Sequence, residues 1–128
     1  MPYRNEADKK LAAAIVGAKK LLSDRTKWSR DALARDDSGR ELKSVTGVRG
    51  PNAVTFCAIG AVMRCGGKKI APLLDLAVFR YTSARPDDYL RSDEIVDFND
   101  RAIDDANELM PVYDIALDIL RERGTTKK

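Results

Sequence analysis

The chain has no histidine and two cysteines in 128 residues. Without histidine, no side chain titrates near neutral pH in its unperturbed state, and a Cys–His nucleophilic pair within one protomer is excluded. The same absence removes most zinc chemistry, because Cys57 and Cys65, eight apart, match no Cys-x-x-Cys ligand spacing. Aromatic residues make up 6% of the chain, and Trp28 is the single tryptophan. No apolar run approaches the ~18 residues that a membrane span requires, and Met1 to Lys10 is polar and charged, unlike the apolar core of an export signal. Free thiols without an export signal lead to the expectation of a reducing, cytoplasmic location with no membrane association.

What is present is the composition of an ordinary globular domain, with 44% hydrophobic and 34% charged residues. The length suits one domain over residues 1–128, with 1–6 and 124–128 expected to be disordered. The net charge of +3 hides an uneven distribution. Residues 1–85 carry 17 Lys/Arg against 8 Asp/Glu, while residues 86–118 carry 2 against 11. Such polarity serves either two surfaces with separate partners or faces that attract each other across the fold.

Asn5 and Asp8 offer an N-cap and an acidic first turn, and Leu11, Ala14, Ile15, Ala18 and Leu22 follow at helical spacing. From Trp28 to Leu42 the turn residues Asp36-Asp37-Ser38-Gly39 predict a β-hairpin with strands of about five residues. Gly47, Gly50 and Pro51 predict a loop over 44–52. The nearly unbroken apolar run Ala53 to Cys65, stopped by Gly66-Gly67, predicts a central buried helix, with Gly60 admitting a close neighbour. Another helix is predicted over Ile70–Tyr81 with Pro72 in its first turn, followed by a polar loop around Ala84-Arg85-Pro86-Asp87. Glu94–Phe98 reads as a third strand or a helical turn. A last helix starts near Asp105 or Asn107 and runs to about Arg123, with Val112, Ile115, Ala116, Ile119 and Leu120 inward. The fold class is therefore α+β and predominantly helical: about four helices around a central buried one, with a short β-hairpin.

Three motifs stand in order: Trp28 ahead of Ala32-Leu33-Ala34-Arg35-Asp36 and Gly39, then Phe56-Cys57-Ala58-Ile59-Gly60-Ala61, then Phe98-Asn99-Asp100 before the terminal helix. Together they resemble a family of small bacterial and phage proteins of unknown function, marked by a Trp-led hairpin, a Cys-x-x-Gly-Ala helix and a Trp-Asn-Asp turn. The likeness covers about residues 8–120, and the resemblance implies no activity. Phe98 stands where that pattern has Trp, so no role at this position can require an indole N–H.

Cys57, placed by this reading in the first turns of a helix, could be activated as a nucleophile, yet Phe56 and Ile59 beside it suit a buried core thiol better. Asp87, Asp88, Asp93, Glu94, Asp97, Asp100, Asp104 and Asp105 could hold a hard cation, but their spacing misses the calcium-loop pattern. Gly66-Gly67-Lys68-Lys69 ends a helix where a phosphate loop would begin one, so it reads as a cap with two exposed lysines. Neither a metal nor a cofactor is expected. Asn99 and Asp100 suit a turn that satisfies orphan backbone groups, and Trp28 suits a core anchor; as ligand contacts, these three are the candidates. Scattered lysines lack any helix-turn-helix or aromatic-basic signature, so nucleic acid is not the expected partner. The favoured function is a non-catalytic binding protein. The phage-like resemblance adds a role in counter-defence or host modulation, by gripping a host protein or sequestering a small ligand. A metal- or thiol-dependent enzyme and a nucleic-acid-binding accessory protein are the rival classes, and self-association stays open.

Overall fold

The Asn5 side chain accepts the Asp8 N–H at 2.8 Å and starts α1 (Glu6–Leu22) where the sequence places a cap. Ala14, Ile15, Ala18 and Leu22 are buried along one face, and Lys19 and Lys20 complement the dipole in the last turn. The computed structural model describes residues 3–84 and 94–125, so all but Ala84 of the polar loop read around Pro86 lies outside the described residues. Of the two ends read as disordered, residues 3–6 and 124–125 are described: Tyr3 packs against the core, and the last helix runs through Gly124 to Thr125.

The hairpin forms around Asp36, whose carboxylate accepts the N–H groups of Ser38 (3.0 Å) and Arg40 (2.9 Å), with Gly39 at φ +87°. Its strands are shorter than expected: β1 is Ala34–Arg35 and β2 is Glu41–Leu42. Ser29 to Leu33 has no alternation of apolar and polar residues, which is what a longer strand would need. A third strand, from a stretch expected to be helical rather than from Glu94–Phe98, joins β1 on its other edge.

That strand comes from the apolar run. Residues 53–65 are not one helix: Thr55–Phe56 is β3, antiparallel to β1 with Ala34 opposite Phe56, and α3 spans Ala58–Arg64. A run apolar on every side carries no period to separate strand from helix, whereas β-branched Thr55 and aromatic Phe56 favour the pleated form. The sheet order is β2-β1-β3. The expected loop over 44–52 holds a short helix, α2 (Val45–Arg49), because the Ser44 hydroxyl accepts the Gly47 N–H at 3.0 Å and caps it.

After Gly66 (φ +102°) and Lys69 (φ +51°), α4 (Ala71–Ser83) begins with Pro72 in its first turn. A lysine in the left-handed region costs ~1–2 kcal/mol of backbone strain relative to the right-handed one. Of residues 94–98, Glu94 is extended and the rest are helical: α5 (Ile95–Asp97) continues into a π-turn over Phe98–Ala102. A 3-10 turn, Ala106–Leu109, leads into α6 (Met110–Thr125). The reading of α6 omitted Tyr113 and Leu117 from the inward face, and both are buried.

Among the described residues this is a predominantly helical α+β fold with six helices and a three-stranded sheet. Helix α3 sits in the middle, against α1, α2, β3 and α5, while α4 packs on α6 and α6 on α1. The largest buried side chains include Ile15 and Leu22 of α1, Leu74 of α4, and Leu120 and Tyr113 of α6. No helix is long and apolar enough to cross a membrane among these residues.

Small residues let α3 approach the hairpin. A Cβ on Gly60 would lie 1.8 Å from the Leu33 carbonyl oxygen, which itself accepts the Cys57 N–H at 3.2 Å. Helix propensity alone would favour Gly60→Ala by ~1 kcal/mol, but overpacking against backbone reverses the sign. We expect Gly60→Ala to lose about 3 kcal/mol of unfolding free energy, read from urea denaturation, and an unchanged or raised midpoint would show that the backbones are further apart than described.

Candidate functional site

Asn99, Asp100 and Trp28, three residues singled out from sequence, meet in one place. The π-turn after α5 turns Asn99 inward, where it is 1% exposed. Its Oδ1 accepts the Trp28 indole N–H at 2.8 Å and the Ala58 backbone N–H at 3.0 Å. Its Nδ2 donates to the Ser29 carbonyl at 3.2 Å and to Asp100 Oδ1 at 2.8 Å. Two lone pairs and two N–H groups are the full capacity of an amide side chain, and all four are spent within the chain.

Asp100 is tied into the cluster through one of its two oxygens. Its Oδ1 also accepts the N–H of Asp31 at 3.0 Å, which holds Asp31 in the left-handed region at φ +65°. Trp28 is half-buried; its backbone bridges to Phe56 in parallel register, and its ring lies 5.0 Å beneath the Arg30 guanidinium. Arg30 in turn donates to the Ile103 carbonyl. Phe98, standing where the resembled pattern has Trp, is buried and meets Tyr81 edge to face with centroids 5.9 Å apart, an apolar contact that calls for no N–H.

Cys57 adjoins this cluster, but as the N-cap of α3 rather than a residue within its first turns. Its sulfur accepts the Gly60 N–H at 3.3 Å. Burial pushes the thiol above its ordinary range and the Asp100 carboxylate adds to that rise, although the Gly60 and Ile59 N–H groups pull the other way. The thiolate that nucleophilic chemistry needs is thus disfavoured. Cys65, at the other end of α3, is exposed, and both cysteines are free. Tyr113, missed from sequence, donates its hydroxyl to the Ala58 carbonyl at 2.7 Å from a fully buried position, and burial raises its phenol well above the ordinary range. Its spacing from Ala116, Leu117 and Leu120 was the available signal.

A shallow cleft of about 300 Å³ opens beside the cluster, lined by Asp31, Leu33, Cys57, Ile59, Val96 and Asp100 among others. A second cleft, of about 620 Å³, lies elsewhere, between the start of α1, the loop joining α3 to α4 and the end of α6. Arg4, Lys10, Lys68, Lys69 and Arg123 line it, with Glu6 and Asp8 as the carboxylates. The sequence singles out only its Gly66-Gly67-Lys68-Lys69 segment, and as a helix cap, because the other cations come from separated segments of the chain.

Part of the polarised charge seen in the sequence meets across the fold. Lys19 meets Asp114, Arg25 meets Asp105 at 2.7 Å and Arg30 meets Asp104 at 3.7 Å, each joining the basic part of the chain to the acidic one. Asp105 is held below the usual carboxylate range, first by the Asn107 N–H and then by Arg25.

Residues 6–119 match the model of a family of unknown function, DUF6197, and the chain belongs to that family. No curated protein and no solved structure matches the chain.

Two measurements test the geometry of the cluster. Asn99→Leu strands the Trp28 and Ala58 donors and is expected to cost about 3 kcal/mol, and Trp28→Phe about 1 kcal/mol. Because the two share one bond, their double variant should lose less than the sum, in a urea cycle followed by circular dichroism; strict additivity would separate the residues. The thiol geometry predicts an order of labelling. Burial raises both thiols, but Cys65 is exposed and Cys57 is buried, so a maleimide at pH 7 should modify Cys65 first, with Cys57 following only as pH rises past the ordinary thiol range. Faster modification of Cys57 at pH 7, located by peptide mapping, would contradict this assignment.

Proposed function

We propose that the protein is a non-catalytic binding protein that takes up a small ligand. The observation that supports this reading is a division of labour among polar groups. Those that chemistry would use, the Asn99 amide, Asp100 Oδ1 and the Cys57 sulfur, are engaged in holding the chain together. Four of the five cations of the 620 Å³ cleft are not so engaged: Arg4 pairs with Asp8, but Lys10, Lys68, Lys69 and Arg123 pair with no carboxylate among the described residues. A cleft of this volume falls within the ~300–1,000 Å³ typical of small-molecule sites, which favours a small ligand over a gripped host protein. A counter-defence or host-modulating role, implied by the resemblance to phage proteins, would follow from withholding such a ligand.

Equilibrium dialysis against a bacterial metabolite extract, read by mass spectrometry, tests the proposal. The expected outcome is enrichment of an anionic compound on the protein side, recovered unchanged when the protein is denatured. A compound consumed in step with the appearance of a product, or no enrichment of any compound, would overturn it.

A further inference from the structure

We infer that the ligand of the cleft between α1, the α3–α4 loop and α6 is a small phosphorylated molecule with an apolar portion, a nucleotide in its chemical class. The inference rests on the binding reading and adds the site and the ligand chemistry.

The charge is the first argument. Of the two carboxylates on the lining, Asp8 is 6% exposed and already neutralised, with Arg4 Nε 3.2 Å from its Oδ2 and Arg4 Nη2 donating to Oδ1 at 3.3 Å. What remains is Glu6 against Lys10, Lys68, Lys69 and Arg123, four cations around one opening. Like charges gathered at a concave, low-dielectric wall focus a positive potential and repel one another until an anion joins them. A single carboxylate would leave most of that charge uncompensated, whereas a phosphate or diphosphate group matches it.

Shape is the second. Leu11, Pro72 and Leu73 give the cleft an apolar wall that a free inorganic anion would not cover. Lys68 and Lys69 are both exposed and reach the rim from the connection that Gly66 and Lys69 turn through the left-handed region, and α1 presents its first turn, Glu6 and Ala7, to the same space. The positive end of the α1 dipole adds to the field there.

Titration calorimetry with ADP on the full chain tests this. One site per chain is expected, competed by excess inorganic phosphate, with a Kd at least tenfold weaker in the Lys68→Ala, Lys69→Ala double variant and unchanged in Lys43→Ala, an exposed lysine outside the cleft. Circular dichroism melts without ligand verify that the variants fold, and Lys10→Ala, placed on α1 away from the strained loop, supplies an independent loss of affinity. The inference is overturned if ADP gives no binding isotherm, if Lys43→Ala weakens binding as much as the double variant, or if an oligonucleotide or an anionic lipid vesicle binds more tightly than ADP with a steeper salt dependence. Absence of ADP binding while dialysis against the extract still enriches another compound would remove the ligand class alone; absence of both would remove the binding reading with it.

Discussion

The amide of Asn99 is the interaction on which the arrangement depends. It joins three stretches distant in sequence: the segment from Trp28 to Ser29, the first residue of α3, and the acidic turn that carries it. The Ala58 N–H is buried and would otherwise go without a bond, at a cost of about 1–3 kcal/mol, while the half-buried Trp28 and Ser29 groups add less. The amide is therefore a structural requirement of the core, and its burial follows from the number of donors and acceptors it must satisfy at once. Cys57 and Tyr113 complete the same junction, the first capping α3 and the second reaching Ala58 from α6.

Charge is arranged by a similar economy. Three carboxylates of the acidic third, Asp114, Asp105 and Asp104, pair with Lys19, Arg25 and Arg30 of the basic part, in contacts that are exposed and individually worth little. Their effect is one of distribution. With acidic side chains drawn to that side, the surplus of positive charge remains where α1 begins and α6 ends, and the opening there takes its character from what is left unpaired.

Much of this was legible in the sequence where the signal is local. The cap at Asn5, the Asp36–Gly39 turn, Pro72 at the start of α4 and the close approach at Gly60 were all readable, because a single residue type answers each need. The division of 53–65 into strand and helix was not, since a run of apolar residues fits either form until its neighbours are known. Asn99 and Asp100 were legible as a turn pair, but nothing near them in sequence indicates Ala58 or Ser29 as partners. The basic opening was least visible of all, as Arg4, Lys10, Lys68, Lys69 and Arg123 share no pattern and come together only through tertiary packing.

The π-turn at Phe98–Ala102 has a consequence of a different kind. A π-turn accommodates one residue more than the α-helical pitch it interrupts. Removing any one residue from this stretch would restore that pitch and swing the adjoining backbone by ~100° about the axis, carrying the amide out of reach of its partners. An exchange at exposed Arg101 can be absorbed by neighbours that shift slightly; a change of chain length cannot. Descendants of this sequence are thus held both to Asn99 and to the number of residues in the segment, and vary in composition only at its exposed positions.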